Sequence, residues 1–233
     1  MNKKVCIYYI ICIHIILVAV LIKSDFISQV NRQLGAQPPE ITKHFRSMVA
    51  FHSRIDKNLP PKSILFIGDS HIQGLAVSAI SPNAVNYGIG KDTTVGVMQR
   101  LHYYKSIPAS KSVVLAIGFN DLKRRENENI LQNIEKILDY FPAKIDIILC
   151  AIHPVGENKH AAYNERIKDL NKSLKKISMQ YNNVTYLNSF NSALSSGKYL
   201  LPKYHLPDGI HLSKEGYSVW IAKLANTLNK IKE

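Results

Sequence analysis

Lys62-Ser63-Ile64-Leu65-Phe66-Ile67-Gly68-Asp69-Ser70-His71 opens the part of the chain that decides the architecture. Ser63 to Ile67 is a short apolar run, too brief for a helix. Leu59-Pro60-Pro61 fences it on one side and Gly68 on the other, so it predicts a strand buried on both faces. Strands of a parallel sheet, covered by helices above and below, carry such unbroken runs. Ser70 then falls at a strand-to-helix turn, where the first amides of a helix favour developing negative charge. The same place suits a plain N-cap, since Asp and Ser are common there.

Outward from this stretch, apolar runs of β type alternate with longer segments of helical spacing. Strands are expected at Ser63–Ile67, Ala84–Tyr87, Ser112–Ile117, Lys144–Ala151 and Val184–Leu187. Helices are expected at His71–Ser78, Thr93–Tyr104, Asn127–Tyr140, Ala161–Gln180 and Lys214–Lys230. The pattern predicts an α/β fold with a doubly wound, five-stranded parallel sheet. In such a sheet ligands gather at the carboxyl ends of the strands, so polar residues directly after strands are the first candidates for chemistry.

Toward the N-terminus, Ile41, Phe45, Met48, Val49 and Ile55 recur at helical spacing over Ile41–Asp56. Before them lies a polar spacer ending in Gln37-Pro38-Pro39-Glu40. Val5 to Ile22 is almost wholly apolar, and these 18 residues are flanked by Lys3 and Lys4 and by Lys23. As a helix the run reaches about 27 Å, close to the hydrocarbon thickness of a bilayer. Val20-Leu21-Ile22-Lys23 offers no small-x-small cleavage site, which favours an uncleaved transmembrane anchor over a signal peptide. Lys3 and Lys4 are nearly matched by Lys23 and Arg32, so the charges lean only slightly toward an extracytoplasmic domain. The expected division is a membrane anchor over 1–23, a spacer with an amphipathic helix over 24–61, and a globular domain over 62–233.

A serine is a weak nucleophile until a base takes its proton, and that base needs a third group to fix its tautomer. Asp208-Gly209-Ile210-His211 supplies both types of residue, with a glycine that lets a turn bring carboxylate and imidazole together. Acyl transfer also needs hydrogen-bond donors aimed at an oxyanion. Two candidates follow strands: the backbone of Gly88-Ile89-Gly90-Lys91-Asp92, and the side chain of Asn120 in Gly118-Phe119-Asn120-Asp121. Taken singly, each of these segments reads equally well as an ordinary turn. The G-x-S-x-G turn of α/β-hydrolases is absent, because position 72 is Ile.

Together, in order and spacing, the four blocks resemble those of the SGNH (GDSL-like) hydrolases over about Lys62 to Asn226. Gly68-Asp69-Ser70 is similar to the first block, Asn86 to Thr94 to the second, Gly118-Phe119-Asn120-Asp121 to the third, and Asp208-Gly209-Ile210-His211-Leu212 to the fifth. The wording is nearest to bacterial relatives of the platelet-activating-factor acetylhydrolase catalytic subunits. The resemblance implies a three-layer flavodoxin-like fold and catalysis without metal or organic cofactor. It implies Ser70 as nucleophile, His211 as base and then acid, and Asp208 as its orienter. Oxyanion donors would be the Ser70 amide, an amide at Gly90 or Lys91, and the Asn120 side chain. Lys91 stands where the family has glycine, and a positive φ there would cost a lysine about 1 kcal/mol. Three outcomes stay open: Lys91 donates in an ordinary conformation, Gly90 takes the role, or the oxyanion hole is weakened.

The remaining features are weaker guides. Lys and Arg number 30 against 17 Asp and Glu, for a formal net charge of +13. The lysines are scattered at helical spacing without interleaved aromatics, which fits a solvated basic surface or an anionic lipid or glycan partner and speaks against nucleic acid. Cys6 and Cys12 lie in the apolar N-terminal run, leaving Cys150 as a core residue without an internal disulfide partner. Val85 and Asp92 break any phosphate-loop pattern around Gly90-Lys91. A metal site from His205, Asp208 and His211 is set aside, because nucleophile activation already accounts for the Asp208 and His211 pairing. His153 reads as an ordinary loop residue or a substrate contact, and His71 is equally open. The expected activity is hydrolysis of a small acyl ester, acetyl or short-chain, on a lipid or acylated glycan. The alternatives are a glycan O-acyltransferase using the same site and a non-catalytic membrane-tethered binding module.

Overall fold

In the computed structural model, residues 3–24, 26–35, 38, 40–157, 159, 161–190 and 199–231 are described. The run that opens at Ile64 forms β1 (Ile64–Gly68), and all of its residues are buried. The other strands are β2 (Ala84–Gly88), β3 (Ser112–Ala116), β4 (Asp146–Cys150) and β5 (Val184–Leu187). They pair in parallel, in the order β2-β1-β3-β4-β5. Because β2 lies on one side of β1 and β3 on the other, the direction of winding reverses at β1. Gly68 is in register with both Gly88 and Ala116, so a cleft opens at the ends of these three strands.

Alternation along β1 shows why the run had to be apolar throughout. Leu65 and Ile67 point into a core shared with α5 (Thr94–Arg100), α6 (Asn127–Tyr140) and α7 (Ala161–Ser178). Ile64 and Phe66 point into a second core with Ile72 of α4 (Ser70–Gln73) and Trp220, Leu224 and Leu228 of α8 (Lys214–Lys230). Helices thus cover both faces, giving the expected three layers. Cys150 lies in the second core, where burial pushes its thiol up to about 12.

Two helices fall well short of what the spacing predicts, while α3 (Lys43–Asp56) and α7 differ from it by two residues. Helix α4 makes one turn and stops at Gly74, and only a 3-10 turn at Val77–Ala79 follows. The stop comes from the sheet: the Asn86 side-chain amide on β2 donates to the carbonyls of Ile72 (2.6 Å) and Leu75 (3.0 Å), taking over helix acceptors. Helix α5 ends at Arg100 and passes into a 3-10 turn over Leu101–Tyr103.

The chain divides into two compact units, residues 1–47 and 48–233. The first holds α1 (Lys3–Lys23) and α2 (Phe26–Gln33). Lys3–Ile22 has a mean hydropathy of 2.9 and is long enough to cross a bilayer, a property that an anchor and a signal sequence share. Of the expected spacer, Asp25, Ala36, Gln37 and Pro39 lie outside the described residues. Helix α3 (Lys43–Asp56) runs across the division, close to the helix expected from Ile41.

Candidate active site

Ser70 is the first residue of α4, one residue beyond the end of β1. Asp69 caps this turn: its Oδ1 accepts from the His71 amide at 2.9 Å. The turn sits tightly on the sheet, since a Cβ on Gly88 would lie 2.1 Å from the Gln73 nitrogen. Glycine at the end of β2 is therefore what lets α4 approach.

The partner residues arrive on a loop 141 residues away. Asp208 Oδ1 accepts from the amides of Ile210 (2.9 Å) and His211 (3.0 Å), a local turn that Gly209 permits with φ 68°. The loop is closed by Leu206 N–H to His211 O at 2.7 Å and anchored by Gly156 N–H to Gly209 O at 2.8 Å. Its product is a line of three groups. His211 Nδ1 lies 2.5 Å from Asp208 Oδ2, and His211 Nε2 lies 3.0 Å from Ser70 Oγ. An ionised carboxylate only accepts, so Nδ1 carries the proton and the lone pair of Nε2 faces the serine hydroxyl. Burial works against the Asp208 anion, but the His211 ring and the two loop amides hold its carboxyl down at about 2. Asp208 and His211 are 43% and 41% exposed at the side chain, so the site opens to solvent.

Oxyanion candidates border the same turn. The Gly90 amide is spent on the Gln73 side chain, at 2.6 Å. Lys91 has φ 66°, the left-handed region, so it is not in the ordinary conformation weighed from the sequence. Among the described residues, neither the Lys91 N–H nor the Ser70 N–H has a hydrogen-bond acceptor. The Asn120 side-chain amide donates to the Asp92 carbonyl at 3.0 Å, tying the turn after β3 to the turn after β2. The second turn is braced from below by Arg100, which is fully buried. Arg100 donates to Asp92 Oδ2 (2.8 Å), to the Gly68 carbonyl (3.1 Å) and to the Tyr104 hydroxyl (2.7 Å). Neither Gln73 nor Arg100 carries a sequence signal for these duties, since both bind backbone or side chains from other elements.

The histidines left open by the sequence also fall here. His71 Nε2 is 3.0 Å from the Ile210 carbonyl, and its Nδ1 is 3.2 Å from Asp69 Oδ1. His153 is buried, with its ring edge-on to His71 at 5.1 Å and to Trp220 at 4.5 Å. Both line a cavity of about 20 Å³ shared with Asp69, Ala116, Phe119, Ile152 and Trp220. His205 turns its Nδ1 to the Leu206 carbonyl at 2.7 Å, and its ring covers Gly156. Among the described residues no cluster of His, Cys, Asp and Glu has the geometry of a metal site.

A family model described as the GDSL-like lipase/acylhydrolase family matches residues 66–219. No curated protein matches the chain. Among solved structures, a Streptococcus pneumonia protein provisionally named a platelet activating factor is 26% identical, with a TM-score of 0.70 over 80% of this chain and 93% of that one. A GDSL-like lipase from Bacteroides thetaiotaomicron is 19% identical, with a TM-score of 0.65 over 78% of this chain and 98% of that one. A catalytic mutant of Axe2, an acetylxylan esterase from Geobacillus stearothermophilus, is 18% identical, with a TM-score of 0.59 over 71% of this chain and 93% of that one. At such identities the last two are likenesses of fold.

Proposed function

We propose that this chain, which belongs to the GDSL-like lipase/acylhydrolase family and so is an ester-hydrolysing enzyme, works through an acyl-serine intermediate formed on Ser70. The observation that carries this reading is the line from Ser70 Oγ through His211 to Asp208, at 3.0 and 2.5 Å. His211 Nε2 takes the hydroxyl proton as Oγ attacks the ester carbonyl, and Asp208 steadies the imidazolium that results. His211 then gives that proton to the leaving alcohol. A water molecule, deprotonated by the same nitrogen, releases the acid and restores the serine. The unpaired amides of Ser70 and Lys91, with the Asn120 side chain, are the proposed oxyanion donors. Gly90 is the poorer candidate, because Gln73 already holds its N–H. A left-handed lysine is a strained conformation, and strain of that kind gathers at functional sites.

The acyl group is small in this reading, acetyl or a few carbons. Axe2, by its name, acts on acetylated xylan, which agrees with a short acyl group on a glycan. Residues 1–23 act as an uncleaved anchor and 24–61 as a spacer with an amphipathic helix, with the hydrolase domain of 62–233 on the extracytoplasmic face. The full chain in detergent micelles, assayed on p-nitrophenyl acetate beside Ser70→Ala, tests the reaction. Wild type should hydrolyse the ester and the variant should lose at least about a thousandfold in rate. Equal rates would end the proposal.

A further inference from the structure

His71 follows the candidate nucleophile, and its ring joins two segments that lie far apart in sequence. One nitrogen faces a carboxylate oxygen of Asp69 at 3.2 Å, and the other faces the Ile210 carbonyl at 3.0 Å. Ile210 immediately precedes His211, so this contact bears on the placement of the base. The residue is only 6% exposed, and Asp69 only 3%, so bulk solvent does not make good a missing bond. An ionised carboxylate and a peptide carbonyl are both pure acceptors. A neutral imidazole has a single N–H and would set a lone pair against one of them, a costly arrangement in a buried place.

We propose that His71 is a positioning residue, a buried imidazolium whose two N–H groups tie the nucleophile turn at Asp69 to the base-bearing loop at Ile210 and so keep His211 in reach of Ser70. The inference rests on the esterase reading above. The groups that face His71 agree with its charge. Asp69 stands on its own turn, Asp208 and His211 on the base-bearing loop, His153 on the loop after β4, and Tyr217 on α8, whose hydroxyl donates to the His71 carbonyl at 3.0 Å. Burial opposes the cation, but the Asp69 bond and charge, the Ile210 carbonyl and the Asp208 charge outweigh it and raise the His71 pKa above the ordinary histidine value. His153, edge-on to the same ring, is driven the opposite way by burial first and by the His71 charge second, and it stays neutral. One cation among these rings is therefore the state that the surroundings favour.

The clamp makes the rate depend on a proton that never enters the reaction. As pH rises through the raised His71 value, one of the two ties is lost and the base-bearing loop is freed, so kcat should fall on the alkaline side while KM holds. The experiment uses the full chain in detergent with p-nitrophenyl acetate, from about pH 6 to about pH 10, for wild type and His71→Gln. A neutral amide keeps one donor but cannot change charge. The variant should lose roughly ten- to a hundredfold in kcat, the order that misplacement of a catalytic group costs, with an unchanged KM and no alkaline decline. A ¹⁵N spectrum of histidine-labelled wild type, with the His71 signal identified by its absence from the variant, should show both ring nitrogens protonated near pH 7. A variant with the wild-type kcat and the wild-type alkaline decline would overturn the clamp, as would a neutral His71 ring near pH 7. If the variant does not fold, a His71→Asn spectrum identifies the signal and the wild-type ring decides. Wild type that hydrolyses nothing while its His71 ring is doubly protonated would sink the esterase reading and leave the tie between Asp69 and Ile210 standing.

Discussion

The side-chain amide of Asn120 donates to the backbone carbonyl of Asp92 at 3.0 Å, so that the turn after β3 holds the turn after β2 in place. Among the described residues only one of its N–H groups is engaged in this way. In the proposed reaction the other donates to a substrate oxygen as negative charge develops on it. Asn120→Ala should therefore lower kcat by about a hundredfold, the usual cost of one oxyanion donor, with KM changed by no more than roughly threefold. Steady-state kinetics on p-nitrophenyl acetate decide the matter. A raised KM with an intact kcat would place Asn120 in ground-state binding instead.

Asp208 and Lys91 should respond in opposite directions. Asp208→Asn removes the carboxylate 2.5 Å from His211 Nδ1, and an amide in its place can present its N–H to that nitrogen and favour the wrong tautomer. A loss of about ten-thousandfold in kcat is expected. Lys91→Gly relieves a side chain held at φ 66° and keeps the backbone N–H, so activity should persist while stability rises by about 1 kcal/mol. Denaturant midpoints and kcat for the two variants check this. A Lys91→Gly enzyme that loses most of its activity while Asp208→Asn keeps it would reverse the assigned roles.

What the sequence made legible follows from how local each feature is. The strand at Ile64 is fully buried on both faces, and that burial is written into the run itself. Helices α6 and α8 span the residues that their spacing predicts, because a stripe of buried residues runs along each of them. The spacing overextends helix α4, because its end is set by Asn86, a residue of β2 whose amide reaches back to Ile72 and Leu75. The site divides along the same line. Asp208 and His211 sit three residues apart, so their pairing is a local property of one turn. The approach of Ser70 to His211 spans 141 residues and was legible only through the order of the blocks. The tie from His71 to Ile210 ends on a backbone carbonyl, which any residue at position 210 would provide, and so left no mark in the sequence.

Stability should fall in mild acid because of His52, which lies on α3 in the compact unit of residues 48–233 and packs against Tyr87 and Tyr104. Arg100 can only donate to the Tyr104 hydroxyl, so that hydroxyl passes its own proton to His52 Nδ1 at 3.1 Å, and the ring is neutral. Burial, followed by the Arg100 charge, lowers its pKa to about 3. The unfolded chain binds this proton below about pH 6.5 and the folded chain does not until near pH 3. The contribution of neutral His52 is thus complete above about pH 6.5 and is lost as pH falls toward 3, with a slope of up to about 1.4 kcal/mol per pH unit. His52→Gln should flatten this part of a plot of denaturant midpoint against pH. Parallel plots for variant and wild type would count against it.

Gly88→Ala tests whether the seat of the turn that carries Ser70 is as tight as its geometry indicates. The added methyl would lie 2.1 Å from the Gln73 nitrogen and 2.6 Å from Gln73 Cα and the Ile72 carbonyl carbon. All of these are backbone atoms of α4, so no rotamer change relieves the clash and the turn itself must move. Overpacking of a well-filled site costs typically about 1–3 kcal/mol, and a contact with backbone belongs at the upper end. Since α4 begins with Ser70, any displacement also lengthens the 3.0 Å contact between its hydroxyl and His211, and kcat should fall together with the denaturant midpoint. A variant with wild-type stability and a wild-type rate would mean that α4 is not held against the end of β2, and that something other than this contact fixes the serine.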